Sequence, residues 1–241
     1  MNVLKVDVLG KALNDYLAGE TNVKLIVHSD ITEPEELPAA YFFRDFNDLP
    51  ELEKMALDLC RGEVADLGAG AGSHSLVLQE RNLPVTAFDI SVGACAVMHQ
   101  RGVKQIQNKN IFDLGECQYD TILMLMNGLG LVGNPEGLTE FLQQIKKNLK
   151  PGAHIIADSS DISYMFYDEE GALAIDLNAE YYGVVTYQME YKKVKGHSFK
   201  WLYIDFNVLA DYAAECGYEC ELVAEGENYQ YLARLGLPAK I

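Results

Sequence analysis

Positions 64–72 read Val-Ala-Asp-Leu-Gly-Ala-Gly-Ala-Gly, an apolar run that carries one acid and closes on three alternating glycines. The run ending at Leu67 suits a short buried strand. Glycines at 68, 70 and 72 let the main chain turn sharply and approach a ligand that any Cβ would displace. A helix is expected over 73–79. Strand, glycine turn and helix open a βα unit, the architecture that places an adenosine-containing ligand over the carboxyl end of the first strand. A dinucleotide loop needs two residues between its second and third glycines, and this chain has Ser73 where that third glycine would stand, which disfavours a nicotinamide cofactor.

The segments that follow repeat the alternation. Residues 84–89 form an apolar run ending in Asp89, 23 positions after Asp66, and a helical stretch spans 91–100. Ser91 suits the cap of that helix, which leaves the two acceptor oxygens of Asp89 for a ribose diol. A third strand is expected over 104–107, before Asn110-Ile111-Phe112-Asp113. Residues 121–126 are continuously apolar, fit for a strand buried on both faces, and end in Asn127-Gly128-Leu129-Gly130. A helix over 138–149 stops at Lys150-Pro151-Gly152, with a fifth strand at 153–157 and Asp158-Ser159-Ser160-Asp161 after it. Further on, a helix over 208–216 is stopped by Gly217, and strands over 218–224 and 229–235 make a hairpin.

The loop of form acid-x-Gly-x-Gly-x-Gly resembles motif I of the class I S-adenosylmethionine-dependent methyltransferases, with Asp66, Gly68, Gly70 and Gly72 at the matching positions. The strand at 121–126 resembles motif IV of the same family. The resemblance spans roughly residues 60–235. It implies an α/β fold: a Rossmann-like, doubly wound, mostly parallel seven-stranded sheet with an antiparallel last strand. It also implies S-adenosyl-L-methionine as cofactor and methyl transfer to a small-molecule acceptor by in-line displacement, where positioning does most of the work. Ala69 would join the loop glycines, and Asp89 and Ile90 would meet the ribose. Phe112 would lie against the adenine and Asp113 would receive its exocyclic amine, with Met126 and Asn127 closing the site. Gly128 and Leu129 stand where methyltransferases acting on nucleic acid or protein glutamine carry prolines, so that acceptor class is disfavoured. A non-catalytic S-adenosylmethionine-binding protein of the same fold, a nucleotide-dependent oxidoreductase and an aminopropyltransferase are the alternatives.

One domain is expected over 1–241: an N-terminal cap or lid at 1–59, a cofactor core at 60–160, an inserted aromatic β-hairpin at 161–206, and a C-terminal helix and hairpin at 207–241. In the cap, an amphipathic helix is expected over 6–17, a strand over 23–27, an acidic linker over 33–38 and a helix over 50–60. Between them, Tyr41-Phe42-Phe43 precedes Arg44, whose guanidinium can pair bidentately with a methionine carboxylate. In the insertion, runs at 184–191 and 198–205 flank a turn at Lys195-Gly196, and the aromatic face suits a covered sheet or a homodimer interface. No single base stands out. Tyr41, His74, Asn127, Asp161 and Tyr164 are the catalytic candidates.

With 36 acidic against 19 basic side chains, the net charge of −17 disfavours a nucleic-acid partner, which needs clustered Lys and Arg. Lys192, Lys193 and Lys195 come nearest to a cluster and read as a solvated hairpin tip. No stretch approaches the ~18 apolar residues of a membrane span, and no signal-like block opens the chain, so a cytoplasmic protein is expected. Five cysteines without paired spacing indicate neither a disulfide framework nor a metal site.

Overall fold

The computed structural model describes residues 6–168 and 180–238, so residues 169–179 of the expected insertion and both chain ends lie outside the described residues. The first segment holds α1 (Val8–Leu17), β1 (Lys24–Ser29) and β2 (Glu35–Pro38), then short 3-10 turns at Ala39–Phe43 and Phe46–Asp48. The α/β core runs α2 (Glu51–Leu59), β3 (Val64–Leu67), α3 (Ser73–Glu80), β4 (Val85–Asp89), α4 (Val92–Arg101), β5 (Gln105–Asn108), β6 (Tyr119–Met124), α5 (Pro135–Ile145) and β7 (Leu149–Ser160). After these come β8 (Val184–Tyr191), β9 (Val194–Lys195), β10 (Phe199–Leu202), α6 (Phe206–Glu215), β11 (Glu219–Glu225) and β12 (Gln230–Gly236).

Seven strands form the main sheet in the order β11-β12-β7-β6-β3-β4-β5. Neighbours from β5 through β7 run parallel, while β12 lies antiparallel to both β7 and β11. All four residues of β3 are buried, as expected of a strand with helices on both faces. Local chemistry sets the helix starts: Ser91 Oγ accepts from Ala94 N–H at 2.8 Å to cap α4. Asn134 caps α5, whose first residue is Pro135. Strand order reverses on either side of β3, which opens a crevice over the carboxyl ends of β3, β4 and β6.

A second, antiparallel sheet of order β10-β8-β1-β2, with β9 also on β8, stands over that crevice. Several expectations are corrected here. The acidic stretch at 33–38 is not a linker, because Glu35–Pro38 pairs with β1 as an edge strand. Cap and insertion are not separate additions: Ile26 faces Glu190 and Ser29 faces Tyr187, so β1 and β8 are neighbours. The hairpin turns at Lys192 and Lys193, with φ of 49° and 65°, and not at Lys195-Gly196. Finally, β7 passes through Lys150-Pro151-Gly152 and continues to Ser160, the extra residues absorbed by a register slip between Tyr119 and Thr121. Asp158, Ser159 and Ser160 are therefore strand residues.

Candidate active site

A cavity of about 870 Å³ lies between the carboxyl ends of the main sheet and the inner face of the second one. That volume falls in the upper part of the ~300–1,000 Å³ range of ligand pockets. Gly68, Ala69, Gly70 and Ala71 line one end. The N–H groups of Gly68 and Ala69 donate to Phe88 O at 2.9 and 3.0 Å, which ties the loop to β4. Gly70 N–H donates to Asp89 Oδ2 at 2.8 Å, and Ser91 N–H donates to Oδ1 at 2.8 Å. Asp89 lines the cavity with one lone pair on each oxygen still open, and its burial pushes the carboxyl pKa up to about 6 against those two N–H bonds. Ile90 lies beside it on the wall.

Asp66, at the end of β3, also reaches the cavity, where its Oδ2 accepts from Ser75 Oγ–H at 2.6 Å and binds β3 to α3. Burial raises its pKa, opposed by the charge of His74 and the Ser75 bond.

Gly72 serves packing instead. It caps α3 with φ +82°, and a Cβ there would stand 2.8 Å from Val103 Cγ2 and 2.9 Å from Met98 Cγ. It does not line the cavity, contrary to its expected cofactor role. Gly72→Ala is expected to cost about 2 kcal/mol, from left-handed strain and overpacking. In thermal unfolding, Tm should drop by roughly 4–8 °C. A Tm within one degree of the parent would refute this packing role.

Phe112 and Asp113 are displaced from their expected places. Asn110 O and Oδ1 accept from the N–H groups of Asp113 and Phe112, a turn that sends the Phe112 ring against Phe141 at 6.2 Å and leaves Asp113 exposed. Asn110 and Ile111 line the cavity in their stead. Met126 lines it, with φ +68°, whereas Asn127 does not: its Oδ1 accepts from Ser160 Oγ–H at 2.6 Å and fastens the β6 loop to β7. Asp158 is buried with its pKa up to about 6, and accepts from Gly128 N–H at 2.8 Å.

A buried trio that sequence reading missed stands under the cap. Glu53 and His74 are 4% and 6% exposed. His74 Nε2 lies 2.6 Å from Glu53 Oε2, and Arg44 Nη2 donates to Glu53 Oε1 and Oε2 at 2.9 and 3.0 Å. Arg44 Nε–H donates to Tyr41 O, and its guanidinium lies 3.9 Å from the centre of the Tyr41 ring. Burial alone would raise Glu53, yet its bonds to His74 and Arg44 hold it below the usual carboxylate range. Burial alone would lower His74, yet the Glu53 bond and the Asp66 and Glu53 charges hold it above the usual imidazole range. His74 also lines the cavity, and its Nε2 is taken up by the Glu53 carboxylate. Glu53 sits nine residues from Arg44 and 21 from His74 in the chain, on a helix whose other acids are solvated, so no local signal marked it.

Among the remaining candidates, Tyr41 and Tyr164 line the cavity, the latter stacked on Tyr229 at 5.2 Å. Asp161 does not, since its Oδ1 accepts from Ser163 N–H and Tyr182 OH. No cluster of three or more His, Cys, Asp or Glu among the described residues is placed to hold a metal ion. No helix among them is long and apolar enough to cross a membrane.

Residues 64–152 match the family described as Methyltransferase domain. An S-adenosylmethionine-dependent methyltransferase from Bacteroides fragilis, solved in complex with S-adenosyl-L-homocysteine, is 41% identical, with 96% of this chain and 94% of that one covered and a TM-score of 0.90. Two more distant structures share the fold alone. The CcbJ methyltransferase from Streptomyces caelestis has 13% identity, coverage of 80% and 95%, and a TM-score of 0.61. The PH0226 protein from Pyrococcus horikoshii OT3 has 16% identity, coverage of 78% and 88%, and a TM-score of 0.57. No curated protein matches the chain in sequence. The buried, doubly tethered carboxylate of Asp89 beside an open glycine loop fits an adenosine ribose, and with a 41%-identical relative along nearly its whole length the chain belongs to the S-adenosylmethionine-dependent methyltransferases, with S-adenosyl-L-methionine as its cofactor.

Proposed function

We propose that the enzyme methylates a small molecule held between the glycine loop and the inner face of the second sheet. The observation that carries this reading is continuity: one cavity is lined by Gly68 and Asp89 at one end and by Tyr187 and Trp201 at the other. S-adenosylmethionine supplies an activated methyl on a good leaving group, so the protein has mainly to hold, orient and exclude water. Asp89 would accept the ribose hydroxyls, Ile111 would face the adenine, and Arg44 would offer a methionine carboxylate the guanidinium edge that Glu53 and Tyr41 leave unbonded. Phe42 covers the loop, its carbonyl accepting from Ser73 Oγ–H at 2.8 Å. Tyr41 and Tyr164 would meet the acceptor at the rim.

Cap, core, insertion and C-terminal hairpin with its reversed β12 work as one methyltransferase domain. Net charge of −17 supports a small acceptor over a nucleic acid, and five free cysteines suit a reducing compartment such as the cytoplasm. Calorimetry is expected to show tight binding of S-adenosylhomocysteine. Incubation of S-adenosyl-[methyl-³H]methionine with a cell extract should send label into acid-soluble small molecules. Label recovered in RNA, DNA or protein would overturn the acceptor class.

A further inference from the structure

The inner face of the second sheet carries a pattern that the methyltransferase reading leaves unexplained. Antiparallel register puts directly opposed residues on one face: Glu35 opposite Val27, Val27 opposite Met189, and Tyr187 opposite Phe199. On that face neighbouring rings meet at angles from 39° to 71°. Tyr187 and Tyr203 are 6.4 Å apart at 67°, and Phe199 and Trp201 are 6.1 Å apart at 71°. With Tyr187 and Phe199 6.1 Å apart at 39°, the four rings make an aromatic box along one wall of the cavity. Trp201 ties the box to the loop that leaves β6, because its indole fills the space where a Cβ on Gly130 would stand.

Glu35 is the carboxylate that β2 contributes to this face. It is exposed, lines the cavity and has no ion-pair partner among the described residues, whereas Glu36, which also borders the cavity, is paired with Lys24 at 2.5 Å. Lys200, at the cavity edge, is neutralised by Glu180. Burial raises the hydroxyl pKa of Tyr187 and Tyr203, and the Glu35 charge adds to this, so both stay neutral and hydrogen-bond each other at 3.0 Å.

The geometry points to an amine as the acceptor, its methylated ammonium product held by the box of Tyr187, Phe199, Trp201 and Tyr203 with Glu35 as counter-charge. Aromatic faces attract ammonium groups, most strongly where water is excluded. The ammonium that approaches first releases its proton to solvent, and the free base then reacts: the nitrogen lone pair forms the C–N bond as the methyl–sulfur bond breaks, and that bonding pair stays on sulfur. Positive charge thus passes from sulfonium to nitrogen. For a primary or secondary amine, the N–H proton then leaves through the Glu35 carboxylate to solvent. The net negative charge of the chain favours the approach of such a cationic solute.

This inference rests on the proposed small-molecule function, and the test keeps the two apart. Trp201 is the only tryptophan of the chain and reports from inside the box. In protein saturated with S-adenosylhomocysteine, phenyltrimethylammonium should change Trp201 fluorescence saturably and bind at least about tenfold tighter than its neutral isostere tert-butylbenzene. Glu35→Gln should weaken the ammonium about fivefold or more and leave the isostere and S-adenosylhomocysteine unaffected. With labelled cofactor, N-methylbenzylamine should accept methyl in preference to phenol. Equal binding of ammonium and isostere, indifference of the ammonium to Glu35→Gln, or preferential labelling of phenol would each overturn the amine assignment. Failure of S-adenosylhomocysteine itself to bind would instead strike the underlying reading.

Discussion

Asp89→Asn is expected to weaken S-adenosylhomocysteine binding by on the order of 100-fold. The carboxylate already accepts from Gly70 and Ser91 N–H and has one lone pair per oxygen left for two ribose hydroxyls. An amide supplies one oxygen, so its NH2 must face either a main-chain N–H or a hydroxyl donor. Hydrogen bonds to a charged group are worth about 1.5–3 kcal/mol each, and about 1.4 kcal/mol is a factor of ten in Kd. Loss of one such bond with damage to another gives the expected factor.

The pH dependence carries the sharper signature. Because burial lifts Asp89 to about 6, the free protein takes up a proton there as pH falls, and the protonated acid no longer accepts from both hydroxyls. Affinity should be full near pH 7.5 and fall by up to about tenfold per unit below pH 6. For stability the sign is opposite: a raised carboxyl pKa favours the free fold below the ordinary carboxylate range and loses that contribution as pH rises through about 6. Asp158 titrates in the same range, so the wild-type and Asp89→Asn curves must be compared. Calorimetry from pH 5 to 8 should show the steep limb diminished in the variant. Parallel curves for the two proteins would remove Asp89 from the cofactor site.

Local chemistry made the main sheet readable. Each of β3, β4 and β6 is an apolar run bounded by its own turn signal, and a glycine loop or capping serine falls where the chain must change direction, so neighbouring residues alone suffice to find them. The second sheet was not readable in that way. Ile26 meets Glu190 more than 150 residues later, and nothing near either strand specifies the other. Edge strand β2 is disguised further, since Glu35 and Glu36 give it the acidity of a linker, a composition that also protects a sheet edge from unwanted pairing. In the site, the place of Asp89 on the cavity wall was legible because it stands at a strand end. Phe112 and Asp113 were misplaced by two residues because the Asn110 turn rotates the loop, and Gly72 because φ > 0 serves a packing contact as well as a ligand. Glu53 depends wholly on tertiary approach.

Removing that glutamate is expected to have the largest effect on stability. In Glu53→Ala, the buried His74 and the largely buried Arg44 lose a shared counter-ion, and breaking a buried pair from one side costs about 3–5 kcal/mol. For a chain of this size that corresponds to a Tm lower by roughly 10 °C. His74 relieves part of the cost by releasing its proton, so the penalty depends on pH. Glu53 is held below the usual carboxylate range, and its contribution is present above pH about 4.3 and lost as pH falls through the folded value. His74 is held above the usual imidazole range, and its contribution is present below pH about 6.5 and lost as pH rises through the folded value. Both contributions coincide between about pH 4.5 and 6.5. The gap between wild type and Glu53→Ala in urea unfolding should therefore be widest near pH 6 and narrower at pH 9, with Glu53→Gln, which keeps a hydrogen bond but no charge, in between. A gap that grows steadily toward pH 9, or a variant that melts within two degrees of wild type, would show that Arg44 and His74 do not depend on this carboxylate.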